Sequence, residues 1–254
     1  MTTEADGQGV KVNATLGEGR ASGFAAYRKL VYGDLSLGRV LWIETATMLF
    51  GGMPGGFGLL MRSKLYRGFF GAAGRGVFIG RNVTLRHPHK IRLGDNVVID
   101  DNCVVDAKGD GNAGITIGDN VYIGRNTIVY CKNGDIAIGK NVNISSNCEV
   151  FSSNDLSIGD DTVIGAYSYL LSGGEYDYAD TDHKFSEQSG MNTRGELSVG
   201  SNCWLGARVT VLDAATVGEH CVLGAGAVVT RRVPDHSLAV GVPAKVVKTL
   251  DHSA

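Results

Sequence analysis

Between residues 79 and 224, an isoleucine, leucine or valine is followed directly by glycine eleven times. The pairs begin at Ile79, Leu93, Ile117, Ile123, Ile138, Ile158, Ile164, Val199, Leu205, Val217 and Leu223. From Val199 to Val228 five hexads follow one another without a gap, opening on Val199, Leu205, Val211, Val217 and Leu223. A period of six is too short for a helix and a return loop. It fits one short strand and one corner, repeated, and a short period with turn glycines marks a parallel β-helix. The predicted fold is therefore all-β, a hexapeptide-repeat solenoid whose aliphatic first residues point inward and stack from coil to coil. Burying each such side chain contributes roughly 1.5–3 kcal/mol.

The fifth residue of a hexad is small: Val97, Cys103, Val121, Thr127, Val142, Cys148, Thr162, Ser168, Cys203, Val209, Ala215, Cys221 and Ala227 are examples. Such residues suit an inward corner with little volume. Three hexads make a triangular coil of 18 residues, as from Val199 to Val217, whereas Leu93, Ile117, Ile138 and Ile158 open coils that are 24, 21 and 20 residues apart and so carry small insertions. Four of the five cysteines (Cys103, Cys148, Cys203, Cys221) occupy fifth positions, where cysteine acts as a small hydrophobe. An odd count without CxxC pairs argues against a disulfide framework or a zinc cluster. A formal net charge of −2 argues against nucleic acid as a partner. The N-terminus has no basic stretch followed by an apolar core, so the expected compartment is the cytoplasm.

Three segments stand outside the repeat. Residues 1–19 are polar and glycine-rich and are expected to be mobile. Residues 20–75 carry eight Lys/Arg against Asp34 and Glu44, whereas residues 76–254 carry 15 Lys/Arg against 21 Asp/Glu. The basic segment is also apolar, and Gly51-Gly52-Met53-Pro54 interrupts it, so two short helices joined by a turn are expected. Over residues 36–70 these either lie on an anionic membrane face, as a peripheral contact, or cover the open first coil; both readings stay open. The remainder, 76–254, is the solenoid domain. It is interrupted once, by the polar insertion 172–197, and ends in a C-terminal tail with several cations. Long loops on regular scaffolds often carry function. This one holds His183, a natural proton acceptor at neutral pH.

The run LGAGAVVTRRVPDHSLAVGVPAKVV, preceded by VGSNCWLGARVTVLDAATVG, resembles the hexapeptide-repeat acyltransferases, and among them the sugar O-acetyltransferases of polysaccharide biosynthesis. The resemblance implies a left-handed β-helix, a homotrimer, acetyl-CoA lying between neighbouring β-helices, no metal, and a loop histidine as general base acting on a sugar or glycan hydroxyl. Carried over by motif, Trp204 lines the site. Gly206, Ala207, Gly224 and Ala225 let the pantetheine arm pass close to backbone, and Thr230, Arg231 and Lys245 face the nucleotide end. Family loops often read His-x-Phe, which selects His183-Lys184-Phe185. Matching the glycines before the loop and Glu187-Gln188 after it instead puts Tyr176 where the family histidine sits. On that second match the usual base is missing: either His183 substitutes from seven residues away, or the protein is a catalytically silent trimer that binds a ligand or organises a membrane assembly. A zinc hydro-lyase on the same fold needs three converging histidines, and His87, His89 and His220 lack that spacing.

Overall fold

The computed structural model describes residues 23–188, 190 and 192–250; residues 1–19, expected to be mobile, lie outside them. Almost all strands are two to five residues long and pair in parallel with the strand one coil away. They form three sheets, the faces of a triangular solenoid of about seven coils. The first face runs from Ala72–Ala73 through Ile91–Leu93, Ile115–Ile117, Ile136–Ile138, Leu156–Ile158 and Leu197–Val199 to Thr216–Val217. The second begins at Phe78–Ile79 and includes Val163–Ile164, Trp204–Leu205 and Val222–Leu223. The third begins at Thr84–Arg86 and includes Tyr169–Ser172, Thr210–Val211 and Val228–Val229. The first strand thus lies four residues before the expected boundary at residue 76.

The hexad accounts for this geometry atom by atom. On the second face Ile79, Ile99, Ile123, Ile144, Ile164, Leu205, Leu223 and Ala239 stand in register from coil to coil, all fully buried. The small fifth residues, from Val97 and Cys103 to Cys221 and Ala227, are buried at the corners. The fourth residue takes the left-handed conformation, with φ between 53° and 60° at Asn82, Asn96, Asn102, Asn120, Asn126, Asn141, Asn147 and Asn202. Asparagine tolerates that conformation better than most residues. Its amide then bonds to the asparagine of the next coil, as from Asn96 to Asn120 at 3.1 Å and from Asn120 to Asn141 at 3.0 Å. All five cysteines are free and buried. Burial pushes the thiols of Cys103 and Cys203 up to about 11 and that of Cys131 to about 12. They therefore stay neutral at pH 7 and serve as filler.

Among the described residues three α-helices precede the solenoid: α1 (Gly23–Tyr32), α2 (Leu37–Phe50) and α3 (Gly55–Leu65). The two helices expected from sequence are α2 and α3. They cover the open first coil, since Val40, Ile43, Ala46, Tyr66, Phe69 and Phe70 join Val77 and Ile79 in one buried cluster. Arg62 secures the joint. Its buried guanidinium donates to the carbonyls of Phe50, Met53 and Ile79 at 2.8, 2.7 and 3.0 Å. Among the described residues no helix is long and apolar enough to cross a membrane. At the far end Ser237–Val240 continues the second face, and Lys245–Thr249 folds back antiparallel on it. The last edge therefore carries Lys245 and Lys248, and edge lysines discourage further strand addition.

Candidate active site

The insertion leaves the third face after Ser172 and rejoins the first at Leu197, so it springs from the corner between those faces. Asp213 sits at the same corner one coil on, and Thr230 and Arg231 one coil further. Asp213 is 2% exposed and holds both ends of the loop. Its Oδ1 accepts from the Gly173 amide and from the Thr193 hydroxyl at 3.0 Å, and its Oδ2 accepts from the Arg194 amide at 2.6 Å. Arg194 also pairs with Glu175, and Glu175 bridges Asn192 in antiparallel fashion. The loop therefore closes on itself at its base like a hairpin.

Within the loop, His183 Nδ1 lies 2.9 Å from Asp180 Oδ2, and its backbone amide donates to Asp180 Oδ1 at 3.2 Å. Partial desolvation disfavours the Asp180 carboxylate, but hydrogen bonds from the His183 ring and from the Asp182 and His183 amides outweigh it. They hold the carboxyl below its usual range. In the tautomer whose Nδ1–H donates to Asp180, Nε2 is left as the acceptor nitrogen of the ring. Tyr176 has a different setting. Its ring meets Phe185 edge-on at 6.0 Å, and a side chain at Gly190 would collide with it. Tyr176 is thus half-exposed and packs only loosely within the loop.

The other residues named from sequence lie elsewhere on the triangle. Trp204 projects from the second face, 60% exposed, between Val163 and Val222. Gly206, Ala207, Gly224 and Ala225 occupy the corner between the second and third faces. The two glycines there have a reason within the solenoid itself. A Cβ at Gly206 would stand 2.7 Å from the Ala225 amide nitrogen, and one at Gly224 2.7 Å from Val240 Cγ1. Ala207 and Ala225 are exposed, and the Ala207 carbonyl accepts from the Gly226 amide at 2.9 Å. Lys245, also exposed, pairs with Val240 beside that corner. In one chain, then, the structure gathers Trp204, Ala207, Ala225 and Lys245 on one side. It puts His183, Thr230 and Arg231 at or above the corner opposite the second face.

Asp180, Asp213, Tyr167 and Arg208 were not singled out from sequence. Tyr167 and Arg208 take the left-handed fourth position, φ 62° and 61°, where asparagine is usual. The guanidinium of Arg208 lies 5.7 Å from the centre of the Tyr167 ring, beside Ala207. A bulky residue in that conformation is a signal readable from the hexad phase alone. A shallow depression of about 420 Å³, lined by Gly139, Gly159, Gly200, Gly218, Glu219 and Asp235, follows the third corner and includes none of the named site residues. Among the described residues no cluster of His, Cys, Asp or Glu is arranged to hold a metal ion.

The pattern of the bacterial transferase hexapeptide (six repeats) matches residues 197–231, and the hexapeptide repeat of succinyl-transferase matches residues 72–107. Two stretches of the solenoid thus carry hexapeptide-repeat patterns. The chain is 38% identical over 118 residues to a Staphylococcus aureus protein named as a putative acetyltransferase, covering 46% of this chain and 57% of the relative. It is 26% identical over 136 residues to the galactoside O-acetyltransferase of Escherichia coli, covering 54% of this chain and 64% of the relative. The hexapeptide-repeat chain therefore spans less than two thirds of the length of each of these relatives. Among solved structures, its fold resembles that of AntD, an N-acyltransferase from Bacillus cereus in complex with dTDP-4-amino-4,6-dideoxyglucose and coenzyme A. The TM-score is 0.54 at 20% identity, over 75% of this chain and 89% of that one.

Proposed function

We propose that this protein is a coenzyme A-dependent acyltransferase that moves an acetyl group from acetyl-CoA to a hydroxyl of a sugar or polysaccharide precursor. The observation that carries this reading is the His183–Asp180 pair, set on the one long insertion of an otherwise regular solenoid. His183 Nε2 takes the acceptor's proton while Asp180 stabilises the imidazolium that forms. The acceptor oxygen bonds to the thioester carbonyl carbon, and the carbon–sulfur bond breaks. The departing coenzyme A thiolate then takes the proton back from His183. A backbone amide holds the oxyanion meanwhile. The relatives named as acetyltransferases, one of them a galactoside O-acetyltransferase, support the reaction class and a hydroxyl acceptor.

The triangle supports a homotrimer. In a single chain the loop rises from the corner opposite the face that bears Trp204. A neighbouring subunit brings its own second face, with Trp204, Ala207, Ala225 and Lys245, up to that loop. Thr230, Arg231 and Lys245 supply cations and a hydroxyl for the phosphates of the nucleotide end. Five free, buried thiols fit a reducing cytoplasm.

Thiol release from acetyl-CoA, followed across a panel of sugar acceptors, tests this reading. We expect acceptor-dependent release, and His183→Ala should lower turnover by about 10²–10⁴-fold with coenzyme A affinity by calorimetry nearly unchanged. Tyr176→Phe should keep most activity. The opposite ranking would overturn the His183 assignment and favour the second loop match, with Tyr176 in the place of the family histidine. A parent protein that binds no coenzyme A would mark a silent scaffold.

A further inference from the structure

The capping role of the N-terminal helices uses only one side of them. On α2 the residues turned to the solenoid are Val40, Ile43 and Ala46, all buried. The opposite side consists of Leu37, Gly38, Leu41, Trp42, Thr45, Met48 and Leu49, all exposed and none charged. Met48 is 79% exposed and Leu41 55%. The only ionisable side chains on α2 are Arg39, which donates to the carbonyls of Gly68 and Phe69, and Glu44, which accepts from Tyr27 and Tyr32. A helix that is apolar all round belongs in a core or against lipid, and the core here covers half of it. Exposed Phe57 and Leu60 on α3 and Phe24 on α1 add to the uncovered apolar surface.

Charge says what covers it. Lys64 follows Leu60 by four residues and Phe57 by seven, so it shares their helix face. Arg28 likewise follows Phe24 by four, and exposed Lys29 is next to it. Cations at the border of a large apolar face match a bilayer with anionic headgroups, where each contributes on the order of 1 kcal/mol near the surface. At 10, 14 and 11 residues the helices are too short to span. They can lie in the interface with the apolar side down.

We infer that the outer face of α1–α3 docks this protein peripherally on an anionic lipid surface, with Leu41, Trp42, Met48, Leu49, Phe57 and Leu60 entering the headgroup region. The inference is independent of the acyl-transfer reading. Flotation of the full chain with vesicles tests it, using phosphatidylcholine alone and phosphatidylcholine mixed with phosphatidylglycerol. The protein should float with the mixed vesicles, less so at high salt, and Trp42 emission should shift to the blue in a Trp204→Phe background. Lys29→Glu and Lys64→Glu should each weaken binding about five-fold or more. The double variant Leu41→Glu, Met48→Glu should abolish flotation. Both positions are exposed, so its circular dichroism and its sedimentation mass should match the parent. Equal partition of parent and double variant, or no flotation with either vesicle, would overturn the inference. So would a drop in assembly mass in the double variant, because the face would then belong to a second copy of the chain.

Discussion

In the solenoid, Ile123, Ile144 and Ile164 are each fully buried, and each packs on its counterpart one coil away. In the insertion between Ser172 and Leu197, the large side chains Tyr176, Tyr178 and Phe185 are 48%, 87% and 58% exposed. That segment is held instead by polar contacts: Asp213 at its base, Glu175 with Arg194, and Asp180 with His183. The coils are fixed by apolar volume repeated every hexad, which leaves little freedom to change one residue. The loop hangs from a few directed bonds, so its tip can vary in sequence without disturbing the coils. A protein that positions chemistry benefits from this division, because the scaffold is rigid where the loop starts and ends.

Substitution tests the division directly, and the largest effect is expected in the coils. Ile144→Ala removes a fully buried side chain from the middle of the second-face stack and should destabilise by about 2–5 kcal/mol. Phe185→Ala in the loop should stay within about 0.5 kcal/mol. Denaturant unfolding of the two variants gives the comparison, and equal losses would mean that the loop is part of the core. Asp213→Ala is expected to fall between them. It leaves the buried amide of Gly173 without its acceptor, at roughly 1–3 kcal/mol, whereas the amide of exposed Arg194 can turn to water. Asp213→Asn should cost less, because it keeps one acceptor oxygen. In both variants, limited proteolysis between residues 174 and 192 should accelerate while the circular dichroism of the coils is unchanged. Unaltered proteolysis would show that the loop does not depend on that carboxylate.

How far each region was legible in the sequence follows from the same difference. The three faces, their register and the buried fifth positions could be read from Ile-Gly and its relatives, because the period is local and the apolar choice repeats. Helices α2 and α3 were legible from an apolar run broken at Gly51-Gly52-Met53-Pro54. Helix α1 was not marked out in advance: its sequence offers no acidic residue in the first turn, and only Ala26 and Tyr32 are buried. In the loop His183 was visible as an isolated histidine, but its partner was not distinguished among four neighbouring acids. Asp213 was harder still. It occupies the third place of a hexad that lacks glycine, and its partners are 40, 20 and 19 residues away. Contacts at such separations leave no periodic trace. The apolar outer face of α2 was legible as composition, but its division into a buried and an exposed side required the packing.

The smallest expected effect sharpens the comparison where helices meet coils, at a joint that mixes burial with charge. His89 lies in the turn after Arg86, beside Gly33 at the end of α1. Its ring pKa is lowered from 6.5 mainly by burial, then by the neighbouring His87, Lys90 and Arg39, with Asp34 opposing. The fold therefore favours the neutral ring. The stability this confers is present above the unfolded value of 6.5 and is lost as the pH falls below it, through the folded value. Only one group is involved, so the coils should be indifferent to it. Amide protection factors, which correct for the slower intrinsic exchange at lower pH, should fall around Gly33 and the start of α2 on going from about pH 7 to about pH 5, while those in the second-face stack stay high. His89→Phe removes the titration and should flatten that dependence. If the profile survives in His89→Phe, the pH sensitivity belongs to another group at the joint.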